Sequence, residues 1–268
     1  MNGAERLLDE KRMKMGKLDG KVAVITGASS GIGRAAAILF AEEKAKVVAA
    51  ARRIEAIEET VAIIKAKGGE AIAVQADVTN AADVRNIFTN TIEVYGQLDI
   101  LFNNAGIEQP YELIHELDED VWDEVMDTNV KGVYLCMKYG IPHMLERGGV
   151  IINTGSPASL IGQPYAPAYC ASKAAVLGLT RAAACDYGDR NIRVNCFCPG
   201  ATETPLLKRA FSGSTFENVV SQKWNLKPPI GRFVKPEDMV KAVLFLASDD
   251  STIASGAAFV IDGGLTAT

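Results

Sequence analysis

Short apolar runs alternate with longer helical patterns along the whole chain. The runs are Val22–Thr26, Val47–Ala51, Ala71–Gln75, Leu98–Asn103, Val150–Thr154, Ile192–Cys198 and Ala257–Ile261. Most are rich in Val and Ile and nearly unbroken by polar residues, as strands of a parallel sheet covered on both faces must be. Helix-length segments separate them: Ile32–Glu43, Ile54–Lys67, Ala81–Tyr95, Val121–Leu145, Pro167–Tyr187 and Pro236–Ala247. Strand alternating with helix predicts repeated βαβ units, and right-handed crossovers then place helices on both sides of the sheet. The expected fold is α/β, a doubly wound sheet of about seven parallel strands. No linker, composition shift or internal repeat divides residues 17–268, which read as a single domain behind an N-terminal extension, 1–16. One connection breaks the tight alternation. It runs from Ala201 to Val234 and carries Phe211, Phe216 and Trp224 among Gly, Ser and Pro residues. A loop of that length in a compact domain is usually functional, and its aromatics suit a lid over a substrate.

Composition narrows the possibilities. Of 268 residues, 48% are hydrophobic and 23% charged, which is ordinary for a soluble globular enzyme with a substantial core. A formal charge of -5 provides no electrostatic footprint for nucleic acid. The five cysteines are odd in number and lack CxxC spacing, and His115 and His143 lie far apart, so neither a disulfide framework nor a metal site is expected. No apolar run approaches the roughly 18 residues of a membrane span. The first sixteen residues mix acids with bases and lack the apolar core of a secretory signal. The cytoplasm is the expected compartment.

Candidate chemistry begins directly after the first strand, in Thr26-Gly27-Ala28-Ser29-Ser30-Gly31-Ile32-Gly33. Gly27 allows a tight turn, Gly31 lets backbone approach a ligand, and Gly33 permits close packing of helix on strand. The helix that follows directs free N–H groups at whatever occupies the turn, and so makes an anion site. The spacing is GxxxGxG rather than GxGxxG, but its place between the first strand and the first helix points to a dinucleotide on a Rossmann-like sheet. The second strand ends in Ala49-Ala50-Ala51 and is followed by Arg52-Arg53. An acidic residue there binds the ribose 2′-hydroxyl of NAD, whereas arginine suits the 2′-phosphate of NADP. NADP(H) is therefore favoured, with NAD(H) possible. Much further on, Tyr169 and Lys173 stand four residues apart on a helical segment, close enough to share one face. A cation beside a phenol favours the phenolate and is expected to pull the tyrosine pKa toward working pH.

Together these residues resemble the short-chain dehydrogenase/reductase family. The resemblance extends from Lys17 to Gly264 and rests on Thr26–Gly33, Asn103-Asn104-Ala105-Gly106, Asn129, Ser156, the Tyr169/Lys173 pair and Pro199-Gly200. It implies a catalytic tetrad. Tyr169 would be the general acid in ketone reduction and the base in alcohol oxidation. Lys173 would lower the tyrosine pKa and bind the nicotinamide ribose. Ser156 would hydrogen-bond the substrate oxygen, and Asn129 would hold a water in a proton relay. The resemblance further implies cofactor contacts from Gly27, Ser29, Ser30, Gly31, Ile32 and Gly33. Asp77 and Val78 would sit at the adenine, Asn104, Ala105 and Gly106 would line the cofactor, and Pro199, Gly200, Thr202 and Thr204 would position its carboxamide, with Arg52 and Arg53 at the 2′-phosphate as read above. It also implies a homo-oligomer, commonly a tetramer built on the helices 121–145 and 167–187 and the last strand. Pro157 departs from the small or β-branched residue usual after the serine.

The activity expected is hydride transfer between NADP(H) and a secondary alcohol or ketone. A 3-oxoacyl-carrier-protein reductase is the alternative, but such enzymes show a basic segment after Asn-Asn-Ala-Gly, and here it reads Ile107-Glu108-Gln109-Pro110-Tyr111-Glu112. A small cyclic, steroid-like or sugar-derived substrate suits that acidic, aromatic segment better. A non-catalytic dinucleotide sensor would lack the complete tetrad, and an epimerase of the longer-chain branch would carry a larger C-terminal domain.

Overall fold

The computed structural model describes residues 16–210 and 228–267. All of the N-terminal extension but Gly16, and Phe211, Phe216 and Trp224 of the expected lid, lie outside the described residues. In chain order the elements are β1 (Val22–Thr26), α1 (Gly31–Glu42), β2 (Lys46–Ala51), α2 (Ile54–Ala66), β3 (Glu70–Gln75), α3 (Ala81–Tyr95), β4 (Ile100–Asn103), α4 (Glu119–Met126) and α5 (Gly132–Gly140). They continue with β5 (Gly149–Thr154), α6 (Pro167–Tyr187), β6 (Ile192–Pro199), α7 (Pro205–Ala210), α8 (Pro236–Ala247) and β7 (Ala258–Ile261).

All seven strands pair in parallel in the order β3-β2-β1-β4-β5-β6-β7. Alternate side chains of each strand feed opposite cores. From β1, Ala23 and Ile25 pack with Phe40 of α1 and Val243 of α8, while Val24 packs with Ile87 and Phe88 of α3 and Val176 of α6. Covered on both faces, the strands need no polar alternation, which is why their sequence runs are almost wholly apolar. The chain reverses its direction of travel across the sheet between β1 and β4, and a crevice opens there at the strands' C-terminal ends.

Element ends follow local chemistry. Helix α3 starts where Asn80 accepts the N–H groups of Ala82 and Asp83, and stops at Gly96 in a left-handed conformation. Strand β4 begins at Ile100 rather than Leu98, and just before it the Asp99 carboxylate accepts the Val22 N–H at 2.8 Å. The largest departure is in the segment 121–145, expected as one helix. It is broken into α4, a π-helical turn at Asp127–Lys131, α5 and a 3-10 turn at Ile141–His143. Inside the long connection after β6 the sequence also hid a short helix, α7, and a bridge between Thr202 and Val234 that closes the connection at its base.

Candidate active site

The crevice at the switch point is a cleft of about 910 Å³. Its lining includes every residue expected at the cofactor or the reacting centre except Gly33 and Asn129, which stand behind the wall.

One end is a phosphate-type cradle. Thr26, buried at the tip of β1, accepts the backbone N–H groups of Asn104 at 3.0 Å and Ala105 at 3.1 Å through its hydroxyl, and so locks the two strand ends together. Gly27 passes between them with φ +67°, and a Cβ there would sit 2.9 Å from Ala105 Cα. Gly33 packs so closely that a Cβ would overlap the Gly27 carbonyl oxygen. Helix α1 then starts at Ser30 without a side-chain cap and without an acid in its first turn. Its free N–H groups and positive dipole end therefore face the cleft, which suits a pyrophosphate. Arg53 donates to Ser29 Oγ at 3.3 Å, so its guanidinium lies over the cradle. Neither Arg52 nor Arg53 pairs with a carboxylate among the described residues, and both are exposed on the cleft wall. Asp77 folds into an Asx turn by accepting the Thr79 N–H at 2.9 Å, which sets buried Val78 against the cleft. Thr202 and Thr204 are buried on the far side. Thr202 donates to the Gly200 carbonyl, and Thr204 accepts the Leu207 N–H to start α7.

The other end holds the titratable groups. Pro167 sits at the first position of α6, where its missing N–H costs nothing, and the helix presents Tyr169, Ser172 and Lys173 to the sheet. Lys173 Nζ donates to the Thr154 carbonyl at 2.9 Å and lies 5.5 Å from the Tyr169 ring centroid. Ser156 caps the turn Pro157–Ser159, with its hydroxyl accepting the Ala158 N–H at 3.2 Å. Pro157 occupies the first position of that turn, so the departure from the family pattern stiffens the serine's support. Ser159 in turn donates to the Lys173 carbonyl at 2.8 Å, joining the serine turn to α6. Asn129, in the π turn, holds the opposite wall. Its Oδ1 accepts the Ile107 N–H at 2.8 Å, while its Nδ2 donates to the Ile107 carbonyl at 2.9 Å and to Ser172 Oγ at 3.0 Å. An inserted residue of this kind in a helix commonly marks a functional position.

The electrostatics correct one expectation. Burial holds Tyr169 above the ordinary phenol range, and the Glu108 carboxylate adds to that; the adjacent Ser156 hydroxyl opposes it and loses. Burial thus outweighs the stabilisation a Lys173 cation gives the phenolate, so Tyr169 is not brought toward neutral pH and the phenol stays protonated. Lys173 is itself pushed down to about 8 by burial, against the nearby thiols and Glu108, which raise it. A third polar group had no motif to announce it: Gln109, whose Oε1 accepts the Tyr169 N–H at 2.9 Å and fixes the first turn of α6. Glu108, Tyr111 and Gln163 also meet in the cleft, from two segments distant in sequence.

A doubly wound parallel sheet, a glycine cradle at the switch point and a Ser-Tyr-Lys group beside it define a dinucleotide-dependent oxidoreductase. Residues 27–266 match the family model described as enoyl-(acyl carrier protein) reductase. The 2-(S)-hydroxypropyl-CoM dehydrogenase 3 of Xanthobacter autotrophicus is 41% identical over 252 residues, 94% of this chain and 98% of that one. The 2,5-dichloro-2,5-cyclohexadiene-1,4-diol dehydrogenase of Sphingobium indicum is 40% identical over 94% of this chain and all of its own. The crystal structure of levodione reductase matches with a TM-score of 0.88 at 32% identity, covering 94% of this chain and 99% of that one. The chain belongs to the short-chain dehydrogenase/reductase family and is an NAD(P)-dependent oxidoreductase of alcohol and carbonyl groups.

Proposed function

We propose that this chain is a cytoplasmic, NADP(H)-preferring enzyme that interconverts a secondary alcohol and a ketone at Tyr169, Ser156 and Lys173. The observation that carries this reading is the convergence of those three side chains at the end of a cleft whose other end is an uncapped helix N-terminus under an arginine. A bound nicotinamide dinucleotide supplies or takes up the hydride. Negative charge grows on the substrate oxygen during reduction, and Ser156 and Tyr169 offer two hydroxyl donors to it. Tyr169 passes its proton to that oxygen, and the Lys173 cation stabilises the phenolate left behind. Pro199, Gly200, Thr202 and Thr204 bound the nicotinamide end, and Asn129 holds the Gly106–Ile107 backbone against α6. The alcohols and ketones turned over are found by screening both classes against both dinucleotides and following the absorbance of the reduced nicotinamide. A chain that consumes neither dinucleotide with any of them would sink the reading.

The cofactor preference rests on Arg52 and Arg53. A charge-assisted pair with the 2′-phosphate is worth about 1.5–3 kcal/mol, so Arg53→Glu is expected to lower the NADPH/NADH ratio of kcat/KM by about ten- to a hundred-fold. An unchanged ratio in both Arg53→Glu and Arg52→Glu would exclude NADP selection at this site.

The homotetramer expected from the family resemblance is part of the same proposal. Trp122 and Tyr134 on α4 and α5, and Leu145 just beyond, leave large apolar surface exposed in the single chain. Light scattering is expected to return about four times the chain mass, and a single-chain mass would reject the assembly.

A further inference from the structure

Among the described residues, the Glu108 carboxylate uses only one of its two oxygens to hold the cleft together. Oε1 accepts from the Tyr111 hydroxyl at 3.0 Å and from Gln163 Nε2 at 3.2 Å, tying the loop after β4 to the loop before α6. Gln163 Nε2 is also 3.2 Å from the Tyr111 hydroxyl, so the three side chains form a closed triangle. Oε2 has no hydrogen-bond partner among the described residues, and it is not one of the buried unpartnered atoms. Glu108 lines the cleft together with Tyr169 and Lys173, and its charge acts on both. A carboxylate kept only to brace two loops has no need to present an acceptor to a cavity. Desolvating it is costly, and burial holds its carboxyl above the usual range. Such a cost is offset when a ligand brings a hydrogen-bond donor.

We propose that Glu108 is a specificity-determining residue whose free oxygen accepts a hydrogen bond from a second hydroxyl of the substrate, which is therefore a diol or hydroxyketone. The inference rests on the alcohol/ketone reading above and deepens it. With the reacting oxygen between Ser156 and Tyr169, the second hydroxyl lies toward Glu108, Tyr111 and Gln163. The donor is a neutral hydroxyl, because the Lys173 cation already faces the carboxylate across the site, and its charge favours ionised Glu108. Substrate carboxylates or phosphates at this end would meet a like charge. A site built to accept a hydroxyl also discriminates against the analogue lacking it, since its polar atom is then left unpaired.

The test compares kcat/KM for the positional isomers of cyclohexanediol, cyclohexanol and aminocyclohexanol, with NADP and NAD, in the wild type and in Glu108→Gln and Glu108→Asp. Retained dinucleotide binding and melting temperature report that the variants are folded. At least one diol is expected to exceed cyclohexanol by about tenfold or more in the wild type, the value of one hydrogen bond to a charged group. That ratio is expected to fall several-fold in Glu108→Gln, whose amide bonds a hydroxyl without the charge, and in Glu108→Asp, whose carboxylate is one methylene short of it. A wild type that oxidises cyclohexanol without preferring any diol overturns the inference and leaves the enzyme reading standing, as does a diol preference that survives in both variants. Preference for aminocyclohexanol over every diol overturns the hydroxyl in favour of a cation. Oxidation of none of these alcohols, or of a wider alcohol panel, sinks the enzyme reading and the inference with it.

Discussion

Replacing Tyr169 by phenylalanine is expected to lower kcat by about a hundred- to ten-thousand-fold, the usual worth of a positioned general acid. Dinucleotide affinity should change little, because the proposed phosphate cradle, Gly27, Ser29, Ser30 and Arg53, lies at the other end of the cleft. The ring is buried and its loss of one hydroxyl leaves the packing of α6 intact. Initial rates of reduced-nicotinamide consumption and a fluorescence titration of the dinucleotide separate the two effects, and a variant with most of its rate would exclude Tyr169 as proton donor. The pH profile carries a second signature. Tyr169 is held above the ordinary phenol range, so it remains a competent acid through neutral and mildly alkaline pH. Lys173, pushed down to about 8, is charged below that value and neutral above it. Its support for the developing phenolate is therefore lost as pH rises, and kcat/KM for reduction should be flat below about 8 and fall above it. For stability the sign is opposite. The folded chain carries the cost of a buried charged Lys173 at neutral pH, and this group's contribution improves with pH between about 8 and the ordinary lysine value of 10.5.

What could be read ahead of the structure was whatever local chemistry decides. Helices α3, α6 and α8 fall where their sequence patterns place them, because Asn80, Gly96, Pro167 and Pro236 mark their ends in the sequence itself. Val22–Thr26 is matched residue for residue, and the other strands shift by one or two positions at their ends. The cradle was legible because its glycines and its place after β1 are both sequence facts. The break in the helix 121–145 was not, since its π turn is stabilised by Asn129 bonding to Ile107 and Ser172, in two other segments. The direction of the Tyr169 shift was missed for the same reason. Lys173 is visible four residues away, whereas the burial that outweighs it, and the Glu108 carboxylate that reinforces that burial, exist only after folding. The triangle of Glu108, Tyr111 and Gln163 has no fixed spacing, so no motif could announce it.

Asn129→Ala is expected to damage both the fold and the rate. The side chain closes three hydrogen bonds, at 2.8, 2.9 and 3.0 Å, between the turn after β4 and helix α6. Truncation leaves the Ile107 N–H and carbonyl without their partner in a partly buried wall, at a cost of up to about 1–3 kcal/mol for each group left unsatisfied. A loss of about 2–4 kcal/mol corresponds to a fall in Tm of roughly 5–15 °C for a chain of this size. Gly106 presses on the same place. A Cβ on it would stand 3.1 Å from Asn129 Oδ1 and 3.6 Å from Lys173 Nζ, so the clamp, the Gly106 backbone and the lysine are packed together. A displacement of about 1 Å at a reacting centre costs on the order of a hundredfold in rate, and kcat/KM should fall by that much. Asn129→Asp keeps the acceptor for the Ile107 N–H but loses the donor to its carbonyl, so it should fall between the two in both readouts. If Asn129→Ala loses its rate while melting at the wild-type temperature, the amide acts on the proton chemistry. If rate and melting fall together and Asn129→Asp lies between, Asn129 works by holding the Gly106–Ile107 backbone against the helix that carries Tyr169 and Lys173.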